Sequence, residues 1–287
     1  MGRMEVFMFM ASLITLALAT LLYAWDLFKL RRALKGKIIA GASEDAVVGY
    51  SVLEVGRFAT ILAASATAFL TLSLIARAVN TGHGPFTNMY EFSAVFAWGV
   101  MAASLYFQWR YKTPVISVLG TLIALAFLVF ANTLPSQPSP LVPALQQSLL
   151  LTIHVAVAIV AYGTVAISFG AAVLYMVQRR WTLSWLPSQS MLDDMGYRGV
   201  IIGFPFMTLT IVLGALWADV AWGRYWGWDP KETASLVTWF IYGGYLHARV
   251  LRGWRGTRSA VLLLLGFGAV LLTYFGNYFF GGLHAYQ

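Results

Sequence analysis

The chain has 287 residues, 60% of them hydrophobic and 10% charged, and its mean hydropathy is +0.73. Soluble domains run near 45–50% apolar and about 25% charged, so an ordinary soluble enzyme, a disordered tail and a fibrous repeat are excluded. The formal charge is +8, but the lysines and arginines sit in short clusters between apolar runs, which is how membrane topology is encoded; nucleic acid is not an expected partner.

The pattern is that of an all-α, polytopic integral membrane protein forming a single membrane domain over 1–287. The ten-residue alternation of a membrane β-barrel is absent. A span needs about 20 apolar residues, and eight are predicted, roughly 4–28, 47–77, 89–109, 114–133, 149–177, 199–219, 233–251 and 259–280. The first has only Arg3 ahead of its apolar run, and that run is too long for a cleavable signal peptide, so it reads as a permanent span. The odd loops then carry Lys29, Arg31, Arg32, Lys35 and Lys37, Arg110 and Lys112, Arg179, Arg180 and Arg198, and Arg249, Arg252, Arg255 and Arg258. That is 14 of the 19 positive residues, against three (Arg77, Arg224 and Lys231) in the even loops. The positive-inside rule places the odd loops in the cytoplasm and both termini on the extracytoplasmic side. Residues 181–198, which mix Trp181, Trp185 and Leu186 with polar residues, are expected on the inner surface. The spacing of Glu54 and Arg57 suits a local ion pair.

The chain has no cysteine, which excludes thiolate metal sites and thiol redox chemistry. Four histidines remain as candidate metal or haem ligands. The topology puts His83 in loop two, His154 at the start of span five and His284 just past span eight, all towards the outer side. His247 lies 14 residues after Thr233, about 21 Å inward at 1.5 Å per residue. A histidine in a loop is ordinarily solvated, and one at a helix end ordinarily bonds a carbonyl. An ionisable residue inside a span is costly and tends to mark function, although His247 also stands beside Arg249 near the inner surface.

The most unusual segment runs from Trp217 to Glu232. With Trp239 it places five of the eleven tryptophans within 23 residues. An interfacial aromatic belt would spread tryptophans over many helix ends, whereas here they concentrate in one loop. Gly223 and Gly227 remove side chains beside the indoles of Trp222, Trp226 and Trp228, so that a flat object can approach the backbone and stack on the rings. Arg224 and Lys231 are placed to meet anionic groups at its edge. Asp229-Pro-Lys-Glu232 reads as an N-cap, a proline at N1 and a glutamate at N3, a capping box opening span seven; Asp229 and Glu232 therefore have a structural explanation. A flat aromatic loop with His154 and His284 at the same level matches what a haem requires, an apolar platform and axial ligands.

The run Trp222-Gly-Arg-Tyr-Trp-Gly-Trp-Asp-Pro-Lys-Glu232, continuing to Thr238-Trp239 and Tyr245-Leu-His247-Ala-Arg249, resembles the WWD domain of haem-handling proteins of cytochrome c maturation. The best match is the CcsA (also ResC) family of the System II pathway. Gly82-His83-Gly84-Pro85, Asn88-Met-Tyr-Glu91, His154 and Gly282-Leu-His284-Ala-Tyr286 agree as well. This divides the domain into N-terminal spans over 1–80 and a CcsA-like region over 81–287 with its WWD loop at 217–232. The resemblance implies that the chain binds haem b, handled as substrate, delivers it to the extracytoplasmic face and presents it for thioether attachment to a Cys-x-x-Cys-His apocytochrome c. His154 and His284 match the axial ligands of the external haem, and His247 matches an intramembrane haem ligand. A CcsB/ResB-like membrane protein is the implied partner in a holocytochrome c synthase (haem lyase). His83 and Glu91 belong to family motifs and are further candidates for contact with haem, as is Lys231. Ala234 stands where many relatives have another tryptophan. No nucleophile is identified.

Two other readings use the same residues. One is a HemX-like haem-binding membrane regulator without ligase activity. The other is a transporter of a non-haem small molecule, with the tryptophan loop as an interfacial belt and a polar site near the midplane; Asp26 and the Glu54/Arg57 pair lie too near the inner ends of spans one and two to favour it.

Overall fold

A computed structural model describes residues 2–39, 56–137 and 148–280. Among these residues there are eight helices and no strand: α1 Gly2–Ile39, α2 Arg57–Thr81, α3 Met89–Tyr111, α4 Val115–Asn132, α5 Ser148–Trp181, α6 Gln189–Trp222, α7 Pro230–Leu251 and α8 Thr257–Phe280. One helix answers each predicted span. Helices α1, α2, α4, α5, α6 and α8 are long and apolar enough to cross a membrane. The remaining two, of 23 and 22 residues, are long enough but richer in polar and aromatic residues; both contribute to the site described below.

Local sequence explains where the helices stop. Gly82 and Gly223 end α2 and α6 with φ of 73° and 70°, and their N–H groups return to the Ala78 and Asp219 carbonyls. A left-handed residue at that position reverses the chain while satisfying a helix-end carbonyl. Asn88 caps α3 by accepting from the Glu91 N–H at 3.0 Å. The predicted capping box at Asp229 and Glu232 is present at the start of α7. Two boundaries differ from expectation: α1 runs to Ile39, eleven residues past its predicted span, and α6 starts early. Helix α6 begins at Gln189, ten residues before the predicted span, because Ser188 caps it and Leu192, Met195 and Gly196 are buried against the bundle. The expected Glu54–Arg57 pair lies outside the described residues, and Asp26 accepts from the Gly56 N–H at 2.9 Å.

Small residues let the helices at the centre approach closely. A Cβ on Gly163 of α5 would lie 2.6 Å from the Gly99 carbonyl oxygen of α3, and one on Gly203 of α6 would lie 3.0 Å from the Ala161 carbonyl oxygen of α5. Without a hydrophobic drive between helices in lipid, such contacts hold them together through dispersion. One apolar core runs from Phe9, Leu16 and Leu27 of α1 through Ala97 and Met101 of α3 and Val165 of α5 to Phe267 of α8, so α1 packs continuously with the later helices. In α1–α4 the Tyr23 hydroxyl donates to Gln108 at 2.6 Å, and Ser117 donates to the same oxygen at 2.6 Å.

The two ends of the bundle differ in kind. At one, Glu5, Arg77 and Glu91 form a buried cluster: Arg77 is 3.0 Å from Glu5 and 2.7 Å from Glu91, and it donates to the Ser136 carbonyl at 2.7 Å. At the other, Arg249 pairs with Asp193 at 2.6 Å, Tyr111 donates to Asp194 at 2.7 Å, and the Gly256 N–H donates to Asp193 at 3.0 Å. The latter end also carries Arg110, Arg179, Arg252 and Arg258.

Candidate functional site

A cavity of about 620 Å³ opens at the end that carries the Glu5–Arg77–Glu91 cluster. Its walls come from α3, α5, α6, α7 and α8, and its rim from the segments 82–88, 133–137 and 223–229. Ligand pockets run about 300–1,000 Å³, so it has room for a macrocycle-sized guest. Phe92, Phe96, Tyr162, Trp217, Tyr225, Trp226 and Tyr274 give it an aromatic lining. Phe96 and Tyr162 are stacked at 6.2 Å, and Tyr274 meets the Phe96 ring edge-on at 5.6 Å. The Tyr274 hydroxyl shares a hydrogen bond with Ser93 at 2.5 Å, which fixes the ring.

His154 stands in the α5 wall, one turn and a half into the helix. Its imidazole lies directly against Gly214 of α6: a Cβ at 214 would sit 2.9 Å from Cε1 and 3.3 Å from Nδ1. Only a glycine leaves that space. This wall presents an imidazole to a largely apolar cavity.

The tryptophan loop divides. Trp226 lines the cavity together with Tyr225. Trp217, buried and also in the wall, is braced edge-on by Trp222 at 4.8 Å within a cluster that includes Phe86, Leu151 and Val155. Trp222 thus supports the wall from behind. Trp228, in a left-handed conformation with φ of 55°, is exposed and meets the edge of Trp226 at 5.9 Å. The Arg224 guanidinium lies over Gly227, where a Cβ would come within 3.0 Å of it. Glu232 folds the loop back on α7 by accepting from the N–H groups of Gly227 at 2.8 Å and Asp229 at 3.2 Å.

Lys231 brings the one cationic side chain to the cavity wall among the described residues. Its ammonium sits 5.0 Å from the centre of the Phe92 ring.

The remaining predicted residues lie elsewhere. His83 donates to the Gly84 carbonyl through Nδ1 at 2.9 Å and is not in the cavity wall. The Glu91 carboxylate is engaged behind the cavity by Arg77, the Thr87 N–H at 2.7 Å and the Thr87 hydroxyl at 2.8 Å. His247 is 16 residues beyond Lys231, about 24 Å along α7, and is exposed on the bundle surface. His284 lies outside the described residues. The cavity also uses residues that sequence reasoning did not single out: Asn88, Phe92, Tyr162, Gly214 and Tyr274. Asn88 carried a signal, since Asn-x-x-Glu is a capping pattern; the others occupy helix positions that look like any core residue.

The family model described as cytochrome C assembly protein matches residues 86–284. Cytochrome c biogenesis protein CcsA of Guillardia theta is 34% identical, covering 82% of this chain and 86% of that protein. CcsA of Prochlorococcus marinus (strain MIT 9313) is 33% identical over 96% of this chain and 95% of its own. Among solved structures, the cytochrome c haem lyase CcmF superposes with a TM-score of 0.60 at 19% identity over 93% of this chain; this chain spans 46% of that one, and the likeness is one of fold.

Proposed function

Because the chain belongs to the cytochrome c assembly protein family, we propose that it binds haem in the cavity at the α3–α5–α6–α7–α8 end and presents it for covalent attachment to apocytochrome c. The single observation that carries this reading is a cavity of about 620 Å³ in which His154, Trp217, Trp226 and Lys231 converge from three helices and a loop. These are the groups a flat, largely apolar ligand with a metal centre and an anionic edge requires. His154 and His284 would supply nitrogen ligands to its iron. The tryptophans exclude water from the macrocycle face.

The chain acts by positioning. Holding the vinyl groups where the two thiols of a Cys-x-x-Cys-His segment meet them converts an encounter into an intramolecular-like step, worth up to about 7–11 kcal/mol when reacting atoms are well aligned. No side chain of this chain needs to act as nucleophile, since the thiols come from the apocytochrome. Haem b is the species carried, and the cavity end is the extracytoplasmic one.

His247 belongs to a second contact. It lies on an outward face of α7 with Val237, Phe240 and Leu251, spaced three, seven and four apart. That stripe supports a haem held between α7 and a CcsB/ResB-like partner, with the opposite ligand coming from the partner.

The test is the visible spectrum of the purified full chain, as isolated and after dithionite, with pyridine extraction to quantify haem. Wild type should show a sharp low-spin reduced α-band. His154→Ala with His284→Ala should lose most of the haem and the α-band together. Unchanged haem content in the double variant sinks the assignment.

A further inference from the structure

The polar rim of the cavity has a donor that its capping role leaves over. Asn88 caps α3 through Oδ1, which accepts from the Glu91 N–H at 3.0 Å. That bond fixes the amide orientation, so its other end is Nδ2, a donor. Nδ2 is buried with no hydrogen-bond partner among the described residues, and Asn88 lines the cavity. A buried donor left unpaired is costly and calls for an acceptor from elsewhere.

The cation of the cavity, Lys231, lines the same wall. Phe92 follows Asn88 by four residues, hence lies on the same face of α3, and the Lys231 ammonium rests over its ring. No salt bridge among the described residues includes Lys231. Both residues stand in the first turn or cap of a helix whose N-terminus is at this rim, α3 for Asn88 and α7 for Lys231. The dipoles of two helices therefore add positive potential at this rim.

We propose that Asn88 and Lys231 form a carboxylate clamp that takes the propionate edge of the macrocycle and so sets its rotation in the cavity. The inference rests on the haem reading above and deepens it. Protoporphyrin carries its propionates on one half of the ring and its vinyls on the other. With the propionates held at the α3–α7 rim, the vinyl groups point away from it, and one rotational orientation is selected. Stacking on tryptophan and ligation by histidine are indifferent to that rotation; the clamp supplies what they lack.

The experiment compares iron protoporphyrin IX with its dimethyl ester, using full-length protein purified from haem-depleted cells. The two probes share iron, ring and axial chemistry and differ only in the carboxylates. Wild type should bind the free acid at least about tenfold more tightly than the ester, the size expected for a charge-assisted hydrogen bond. Lys231→Met and, separately, Asn88→Ser should each weaken the free acid about tenfold and leave the ester within about twofold. Serine retains the helix cap, so the second variant removes the amide without unravelling α3. Equal binding of acid and ester by wild type overturns the clamp and leaves haem binding standing, as does equal weakening of both probes in the variants. Failure of wild type to bind either porphyrin overturns the haem reading itself.

Discussion

A single missing methyl group sets the geometry of the proposed axial ligand. The His154 ring occupies space that any side chain at 214 would claim, with a Cβ 2.9 Å from Cε1. Valine there would force the imidazole out of its position or push α6 from α5. Overpacking of this kind costs about 1–3 kcal/mol, which as lost ligand affinity is about five- to 150-fold. Gly214→Val should therefore lower haem retained per polypeptide by that range. Gly268→Ala, on a face of α8 with open space around it, should leave retention unchanged. Equal retention in both variants would detach His154 from the ligand role. Nothing in the sequence marks Gly214, because a glycine in an apolar helix has the same appearance whether it faces lipid or a ligand. The capping box at Asp229 and Glu232 was legible, because its two halves are three residues apart and local rules decide it. Asn88 lay between these cases: its cap was readable from Glu91, but its free amide edge is a property of the assembled cavity.

At the level of helices, the apolar runs were legible and their long-range ties were not. Runs of about 20 apolar residues are set by bilayer thickness, so eight helices could be counted directly. The polar start of α6 was missed because its helical character comes from packing of Leu192 and Met195, which only the neighbouring helices provide. The Glu5–Arg77–Glu91 cluster was missed for a related reason: its members are 72 and 14 residues apart. It joins α1, α2 and α3 beneath the cavity rim, and it gives Glu91 a task that is complete without a ligand. Glu91→Gln removes a charge from the bonds with Arg77 and Thr87, each such bond being worth about 1.5–3 kcal/mol. Stability against denaturant in detergent should fall by that order, while the haem spectrum and affinity of the folded protein stay as in wild type. A variant of unchanged stability that loses haem would instead make Glu91 a ligand contact.

At the scale of the whole molecule, charge and cavity lie at opposite ends. Arg110, Arg179, Arg252 and Arg258 crowd the end held by Asp193 and Arg249, whereas the cavity opens at the end where Arg77 is neutralised by two carboxylates. The positive-inside rule predicts that the arginine-rich end faces the cytoplasm, and the proposed function requires the cavity to face the opposite side. This orientation is accessible to direct labelling because the chain has no cysteine to remove. Thr133, at the cavity end, and Arg252, at the other, are both exposed. In intact cells a membrane-impermeant maleimide should label Thr133→Cys and spare Arg252→Cys, and opening the membrane should make the second reactive. The reverse pattern would turn the cavity towards the cytoplasm. Haem could then be collected there but not presented outside, and a cytoplasmic haem-binding regulator would become the better account of the same histidine and tryptophan wall. The direction of one labelling reaction thus separates delivery from capture, which the geometry of the cavity alone treats alike.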